Sequence, residues 1–156
     1  MIYKNMELKP NNFDNKEVHE LLSRHFIELR SVSPEGSTHV LDIDGLKSPS
    51  IKFWSFWDKN NLIGCGALKL IDKTHGEFKS IRISKEYQNT GYGKKLLNEL
   101  FKEAKKLNII KISVETGSGE FFLPARKLFL SSGFNPCKPF AHYTDDPNSK
   151  YYNKYL

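Results

Sequence analysis

Cysteine is nearly absent from this chain: only Cys65 and Cys137 occur in 156 residues, and neither has a partner at metal-ligand spacing. That argues against a disulfide-stapled scaffold or a metal centre, and leaves two free buried thiols in a reducing compartment as the expectation. Long hydrophobic runs are missing too. No apolar stretch approaches the roughly 20 residues that cross a bilayer, and the start of the chain, Met1-Ile2-Tyr3-Lys4-Asn5-Met6-Glu7, lacks the basic-then-apolar layout of a secretory leader. A cytoplasmic protein with no membrane partner is expected. Lys and Arg outnumber acids by 24 to 18, a formal net charge of +6, yet they gather in no block. An aromatic RNA-reading motif of the K/R-G-F/Y-G/A-F type is also lacking, so no nucleic-acid partner is expected. The positive balance suits a small acidic ligand, or only a solvated surface.

What the chain does contain is 38% apolar and 13% aromatic residues, enough for one packed domain over residues 1–156. Residues 2–8 alternate loosely and read as a first strand. Residues 15–30 read as a helix, with Val18, Leu21, Leu22, Phe26 and Leu29 on one stripe and Asp14 as N-cap. Residues 39–46 read as a short second helix. Three antiparallel strands follow at 51–57, 62–71 and 77–84, joined by turn-forming segments. Gly64 and Gly66 suggest a bulge or close packing in the second of them. Trp54 and Trp57 face opposite sides of their strand, which leaves at most one for the core and the other for a partner subunit or substrate. A helix over 91–107 leads to a buried strand at 109–115, parallel to the 77–84 strand because a crossover helix joins them. A helix at 122–132, with Pro124 in its first turn and Gly133 past its end, and a last strand at 150–156 complete an α/β (or α+β) order.

Between the 77–84 strand and the 91–107 helix stands Gln88-Asn89-Thr90-Gly91-Tyr92-Gly93-Lys94. A strand, a glycine turn and a helix start aim unpaired backbone N–H groups and a positive helix end at one point, where a phosphate fits. Lys94 and Lys95 oppose the helix dipole, which an anion nearby would explain. The alternative is that the glycines merely close a tight turn. Neither nucleotide motif fits well: a P-loop needs Ser or Thr where Lys95 stands, and a Rossmann turn needs a third glycine.

The turn matches the acyl-CoA motif Q/R-x-x-G-x-G/A, and Ala125-Arg126-Lys127-Leu128-Phe129-Leu130-Ser131-Ser132-Gly133-Phe134 is similar to a second signature, Ala-x-x-Leu-Tyr-x-x-x-Gly-Phe. On these the chain resembles the GCN5-related N-acetyltransferases (GNAT) over nearly its full length. It is most similar to the YsnE-like bacterial branch, through His39-Val40-Leu41-Asp42, Gly64-Cys65-Gly66-Ala67-Leu68, Glu115-Thr116-Gly117-Ser118 and a tail with Tyr143 and Asp146-Pro147. The resemblance implies the GNAT fold: a mixed sheet of about six or seven strands with antiparallel N-terminal strands, a parallel pair splayed at the acyl-CoA site, and about four helices. It further implies a homodimer, no metal, and transfer of acetyl from acetyl-CoA to the amine of a small molecule, an amino-acid-like one among the candidates.

By the same resemblance, Ile81, Arg82 and Ile83 offer backbone groups to the pantetheine arm, and Gln88, Asn89, Thr90, Gly91, Tyr92, Gly93 and Lys94 wrap the pyrophosphate. Phe122, Arg126 and Phe129 stand where the second signature meets the donor. Two carboxylates are candidates for the base that takes the amine's proton, Glu115 at a strand end and Glu77 at the start of the neighbouring strand. Alternation puts Glu77, Lys79, Ile81 and Ile83 on one strand face. Phe129 replaces the family's tyrosine acid, and Phe122 stands in place of its common Asn. Either the amine's own proton route suffices or another hydroxyl, such as Tyr143, substitutes. A bound acyl-CoA sensor without turnover is the alternative that these two departures raise. Arg30, His39 and Arg82 are candidates for holding an acceptor carboxylate, Lys79 lies in the same region, and Asp146 is a candidate for an amine. His39 reads equally as a capping or core histidine, and Asp146 as turn chemistry.

Overall fold

The structure, a computed structural model, describes residues 6–156. Its elements run β1 (Met6–Pro10), α1 (Lys16–Val32), α2 (Ile43–Leu46), β2 (Ile51–Asp58), β3 (Asn61–Leu70), β4 (His75–Ile83), α3 (Tyr92–Lys106), β5 (Lys111–Gly117), α4 (Leu123–Ser131), β6 (Asn135–Pro136) and β7 (Ser149–Tyr155). Single 3₁₀ turns precede α3 at 85–87 and α4 at 120–122. The strands form one sheet in the order β1-β2-β3-β4-β5-β7-β6. All neighbours are antiparallel except β4 and β5, which the crossover through α3 makes parallel. This is the mixed sheet with four helices that the sequence led us to expect. The expected first strand falls partly on residues 2–5, outside the described residues.

Both faces of the sheet are covered, and strand alternation decides which side chain meets which layer. Trp54, Phe56, Leu68, Phe78, Ile112 and Val114 pack under α3 with Leu96, Leu97, Leu100 and Phe101. Phe53, Trp57, Cys65 and Ala67 pack on the other face with Val18 and Leu22 of α1 and Leu46 of α2. Trp54 and Trp57 do face opposite sides, but both are buried, at 7% and 4% exposure. The expectation that at most one is core fails because the sheet has a hydrophobic layer on each face.

Local chemistry moves several boundaries. Asn15, not Asp14, caps α1, its side chain accepting from the N–H groups of Glu17 and Val18 at 2.9 and 3.1 Å. Only residues 43–46 of the second expected helix are helical. Asp42 accepts from Gly45 N–H at 2.8 Å and starts it there, leaving 38–42 as irregular chain. Cys65 is buried as expected, and Cys137 is half-buried.

The largest departure from strand alternation is in β4. Cys65 pairs with Arg82 and Ala67 with Lys79, so Gly66 alone faces both Ser80 and Ile81, and Ser80 takes a left-handed φ of 54°. This β-bulge resets the side-chain parity. Glu77 and Lys79 lie on the α1 face, opposite Ala67, while Ile81 and Ile83 join the α3 layer. The expectation that all four share a face is wrong, and Arg82 takes the place on the α1 face that Ile81 and Ile83 leave. Gly66 is required at the bulge, since a Cβ there would stand 2.7 Å from a Leu100 methyl.

Candidate active site

The β4–β5 ladder is short. It pairs His75 with Lys111, Gly76 with Ile112 and Glu77 with Ser113, then stops. Beyond that point the parallel strands diverge. The fork opens a cleft of about 660 Å³ between β4, β5, the start of α3, the start of α4 and the chain joining α1 to α2. Residues 78–83 therefore have no strand partner on the β5 side, which leaves an edge that an extended ligand can line.

At one end the cleft meets the N-terminus of α3. Gln88, Asn89, Gly91, Gly93 and Lys94 line it, together with Lys85. Gly91 is the helix's N-cap residue with φ 86°, and no side chain caps the exposed N–H groups. Gly91 is present for its left-handed backbone, as nothing lies within 4 Å of where its Cβ would be. Gly93 serves a different purpose, because a Cβ there would press on Leu128 at 3.1 Å. An uncapped helix start beside two lysines suits a pyrophosphate, so the residues present fit acetyl-CoA. Phe122, Phe129, Ala125 and Leu128 supply an apolar wall to the same cleft.

Not all the expected donor residues face this space. Thr90 donates its hydroxyl to the Tyr87 carbonyl, Tyr92 packs edge-on to the Tyr87 ring, and neither lines the cleft. Arg126 gives its guanidinium to the carbonyls of Gly117 and Gly119 at 2.8 and 2.7 Å, and so shapes the loop after β5. Phe122 covers Gly117, where a Cβ would collide with its ring.

At the fork the structure brings together Glu77, Lys79, Tyr143 and Glu115. Glu77 is 1% exposed and accepts from the Tyr143 hydroxyl at 2.6 Å and from Lys79 Nζ at 3.3 Å, both on Oε2. Lys79 Nζ also reaches the Tyr143 oxygen at 3.0 Å. Tyr143 does not line the cleft and meets it only through these partners. Burial, then the Glu77 carboxylate, pushes the Tyr143 hydroxyl well above its ordinary range, so its proton stays in place at neutral pH. Glu115 lines the cleft from the opposite arm and accepts from Ser149 Oγ at 2.8 Å. Burial raises its carboxyl to about 7, opposed by the Ser149 hydrogen bond and the Lys79 charge and aided by the charges of Glu77 and Asp146. A carboxyl poised there exchanges a proton readily near neutrality.

The acceptor candidates separate. His39 lines the cleft and sits edge-on to Tyr143 at 5.0 Å between ring centroids. Burial, then Lys79, lowers its basicity. Asp146 accepts from Ser37 Oγ at 2.7 Å and from Asn148 N–H at 2.9 Å, which ties the tail to the α1–α2 connection. Arg30 is not at the site: it is exposed in the last turn of α1, 5.4 Å from the Phe26 ring. The α1 stripe had no reason to exclude it from sequence alone. Arg82 lines the cleft but is already paired with Glu28 at 2.5 Å.

Three participants were missed in the sequence. His25 is 6% exposed on the cleft side of α1, and burial followed by Arg82 lowers it to about 4. Glu28, one turn on, is the Arg82 partner. Ser149 orients Glu115 from β7. The i, i+3 spacing of His25 and Glu28 marked a common helix face, but the bulge that aims Arg82 at it is a tertiary feature. Among the described residues no helix is long and apolar enough to cross a membrane, and no group of three or more His, Cys, Asp or Glu is placed to hold a metal ion.

Comparison with known proteins bears on the family and the fold. A sequence model of the acetyltransferase (GNAT) family matches residues 15–134. A Bacillus subtilis protein described as uncharacterized N-acetyltransferase YsnE is 42% identical over 151 residues, covering 97% of this chain and 100% of that protein. A GNAT family acetyltransferase from Elizabethkingia anophelis, solved with acetyl-CoA bound, shares the fold at TM-score 0.67 and 18% identity, covering 98% of this chain and 99% of its own. Spermidine N-acetyltransferase from Vibrio cholerae, solved with CoA and spermine, does so at TM-score 0.70 and 21% identity, covering 97% of this chain and 95% of its own.

Proposed function

The chain belongs to the GNAT acetyltransferase family, and from that premise we propose that it moves an acetyl group from acetyl-CoA to the primary amine of a small molecule, with Glu115 as the base. Bound acetyl-CoA supplies a thioester, an acyl carbon open to attack by an amine. The backbone of residues 81–83 is the edge that holds the pantetheine arm. The N–H groups at the start of α3, with Asn89 and Lys94, hold the pyrophosphate. Phe122 and Phe129 exclude water from the thioester end, which strengthens each polar interaction there.

The acceptor's ammonium must lose a proton before its nitrogen can attack. Glu115, ionised above about pH 7, takes that proton directly or through one water. Glu77 is the poorer base because it is 1% exposed and its charge already serves Tyr143 and Lys79 through Oε2, with only the buried Oε1 unpartnered among the described residues. It fixes the floor of the site instead. Phe129 removes the family's hydroxyl acid, and Tyr143 keeps its proton on Glu77. An added acid is not essential: a thiol has an ordinary pKa of about 8.5, so a thiolate leaves without full protonation near neutral pH. Glu115 passes that proton to solvent, and the second proton, shed by the nitrogen as the amide forms, goes to the thiolate.

The observation that carries this reading is the meeting, in one cleft, of an uncapped helix start and a carboxyl raised to about 7. Thiol release from acetyl-CoA, measured over polyamines, amino acids and aromatic amines, is the test. Amine-dependent release with an acetylated product is expected. Tight CoA binding with no release on any amine would instead mark a sensor of acyl-CoA. Residence in the cytoplasm and a homodimer belong to the same proposal, the latter checked by sedimentation.

A further inference from the structure

Two cations project from β4 into the acceptor side of the cleft, and they are held very differently. Lys79 is locked between Glu77 and Tyr143, with Lys79 and Glu77 side chains 9% and 2% exposed. Arg82 is also enclosed, at 14%, but Glu28, its one ion-pair partner among the described residues, is 38% exposed. A salt bridge with one fixed member and one member at the solvent boundary is easily opened from the exposed side. Glu28 can turn to water at little cost, whereas a guanidinium left in that enclosure without an anion is costly. Among the described residues Arg82 Nε has no partner, and neither does Nδ1 of the adjoining His25. The Ser80 bulge alone brings Arg82 to this face, and a regular strand would have turned it toward α3.

Resting on the acetyltransferase reading, we propose that Arg82 is the seat for a carboxylate of the acceptor, which displaces Glu28, so that the substrate is an amino acid or a short amino-carboxylate. Glu28 occupies in the free chain the place that the substrate's anion takes in the complex. A planar guanidinium suits a carboxylate better than an ammonium would. His25, neutral at pH 7, adds no competing charge. Register sets the scale. Glu77 and Ser113 are the last β4–β5 pair, two residues before Lys79 and Glu115 on their own strands. Since Lys79 pairs with Ala67 and Arg82 with Cys65, the bulge leaves Arg82 about two residues of regular strand, roughly 7 Å, beyond Lys79. The two side chains close much of that gap, which leaves room for a short molecule with its amine toward Glu115 and its carboxylate toward Arg82. In the transfer, the new N–C bond forms as the C–S bond breaks. The ammonium proton passes through Glu115 to solvent, and the second proton, shed by the nitrogen as the amide forms, goes to the departing sulfur.

Acetyl-CoA turnover should be measured with glycine, β-alanine, γ-aminobutyrate and a set of L-amino acids, each beside its own carboxamide, and with spermidine and simple alkylamines. The amides have less basic amines and are intrinsically readier to react, so a preference for the acids reports recognition. The wild type is expected to favour acids over amides by at least about tenfold. R82Q should lower kcat/KM for acids by roughly 10- to 100-fold more than for their amides. E28Q, which removes the competing anion, should lower KM for acids several-fold and not for amides; it decides the matter if R82Q fails to fold. Equal rates for acids and amides, or equal losses of both in R82Q, would overturn the inference. So would turnover of the carboxylate-free amines alone, and that result would leave the acetyltransferase reading intact. Failure of every amine would defeat that reading first, and this one with it.

Discussion

Ser149 and His25 are single side chains whose effects can be read separately from the rest of the site. The Ser149 hydroxyl stabilises the ionised form of Glu115. Ser149→Ala should therefore move the rising limb of the pH–rate profile to higher pH, at a stability cost of about 1 kcal/mol; an unmoved limb would detach Ser149 from the base. His25 acts through stability. Its folded pKa of about 4 lies below the ordinary 6.5, so the unfolded chain binds more protons between those values and stability falls as pH drops through that window. Glu115, raised to about 7 from 4.5, has the opposite sign: its contribution is present below 4.5 and is lost as pH rises toward 7. The two slopes partly cancel in the wild type. Urea unfolding of wild type and His25→Gln at pH 4.5 and 7 isolates the histidine, and the wild type should lose stability relative to the variant on acidification. Neither residue was legible as a participant in the sequence. His25 reads as one position on an amphipathic helix, and Ser149 as a turn residue, until the fold sets them beside charged groups.

The β3–β4 hairpin and the α3 turn are the elements that build the cleft. Gly64 and Gly66 signalled a bulge or close packing in the sequence, and both signals are met. Their consequence for parity was not legible, because the extra residue sits on β4, at Ser80, across from the glycines. The glycine turn was readable almost completely, since strand, turn and helix are contiguous in sequence. Only the division of labour between Gly91 and Gly93 needed the packing of α4. A methyl group at Gly64 would collide with the Arg82 backbone carbonyl. Gly64→Ala should thus cost on the order of 1–3 kcal/mol and disturb the Arg82 side chain, seen as loss of melting temperature together with weaker acceptor binding. Gly91→Ala forces a β-carbon into φ 86°, at about 1–2 kcal/mol, and should weaken CoA binding more than it lowers stability without CoA. Equal effects on both would assign the glycine to folding alone.

Taken whole, the molecule is a two-faced sheet opened at one parallel seam, and the proposed function brings both substrates to that seam. Binding of acetyl-CoA to the folded chain alone should raise its stability by about 2.7 kcal/mol at a hundredfold excess over Kd, seen as a concentration-dependent rise in Tm. The family and the sheet order were legible because two local signatures and the alternation of strands and helices carry them. The acceptor end was not: its groups come from α1, β4, β5, β7 and the tail, and no local pattern announces their meeting. That meeting gives Glu115 its raised pKa, which is the ground for proposing it as the base. The pH dependence of kcat/KM for wild type and Glu115→Gln, with an amine that the wild type acetylates, decides whether the role is real. A rising limb near pH 7 in the wild type is expected, with its loss and a rate lowered roughly 10²- to 10⁴-fold in a variant that still binds CoA. An unchanged limb and rate in Glu115→Gln would contradict it.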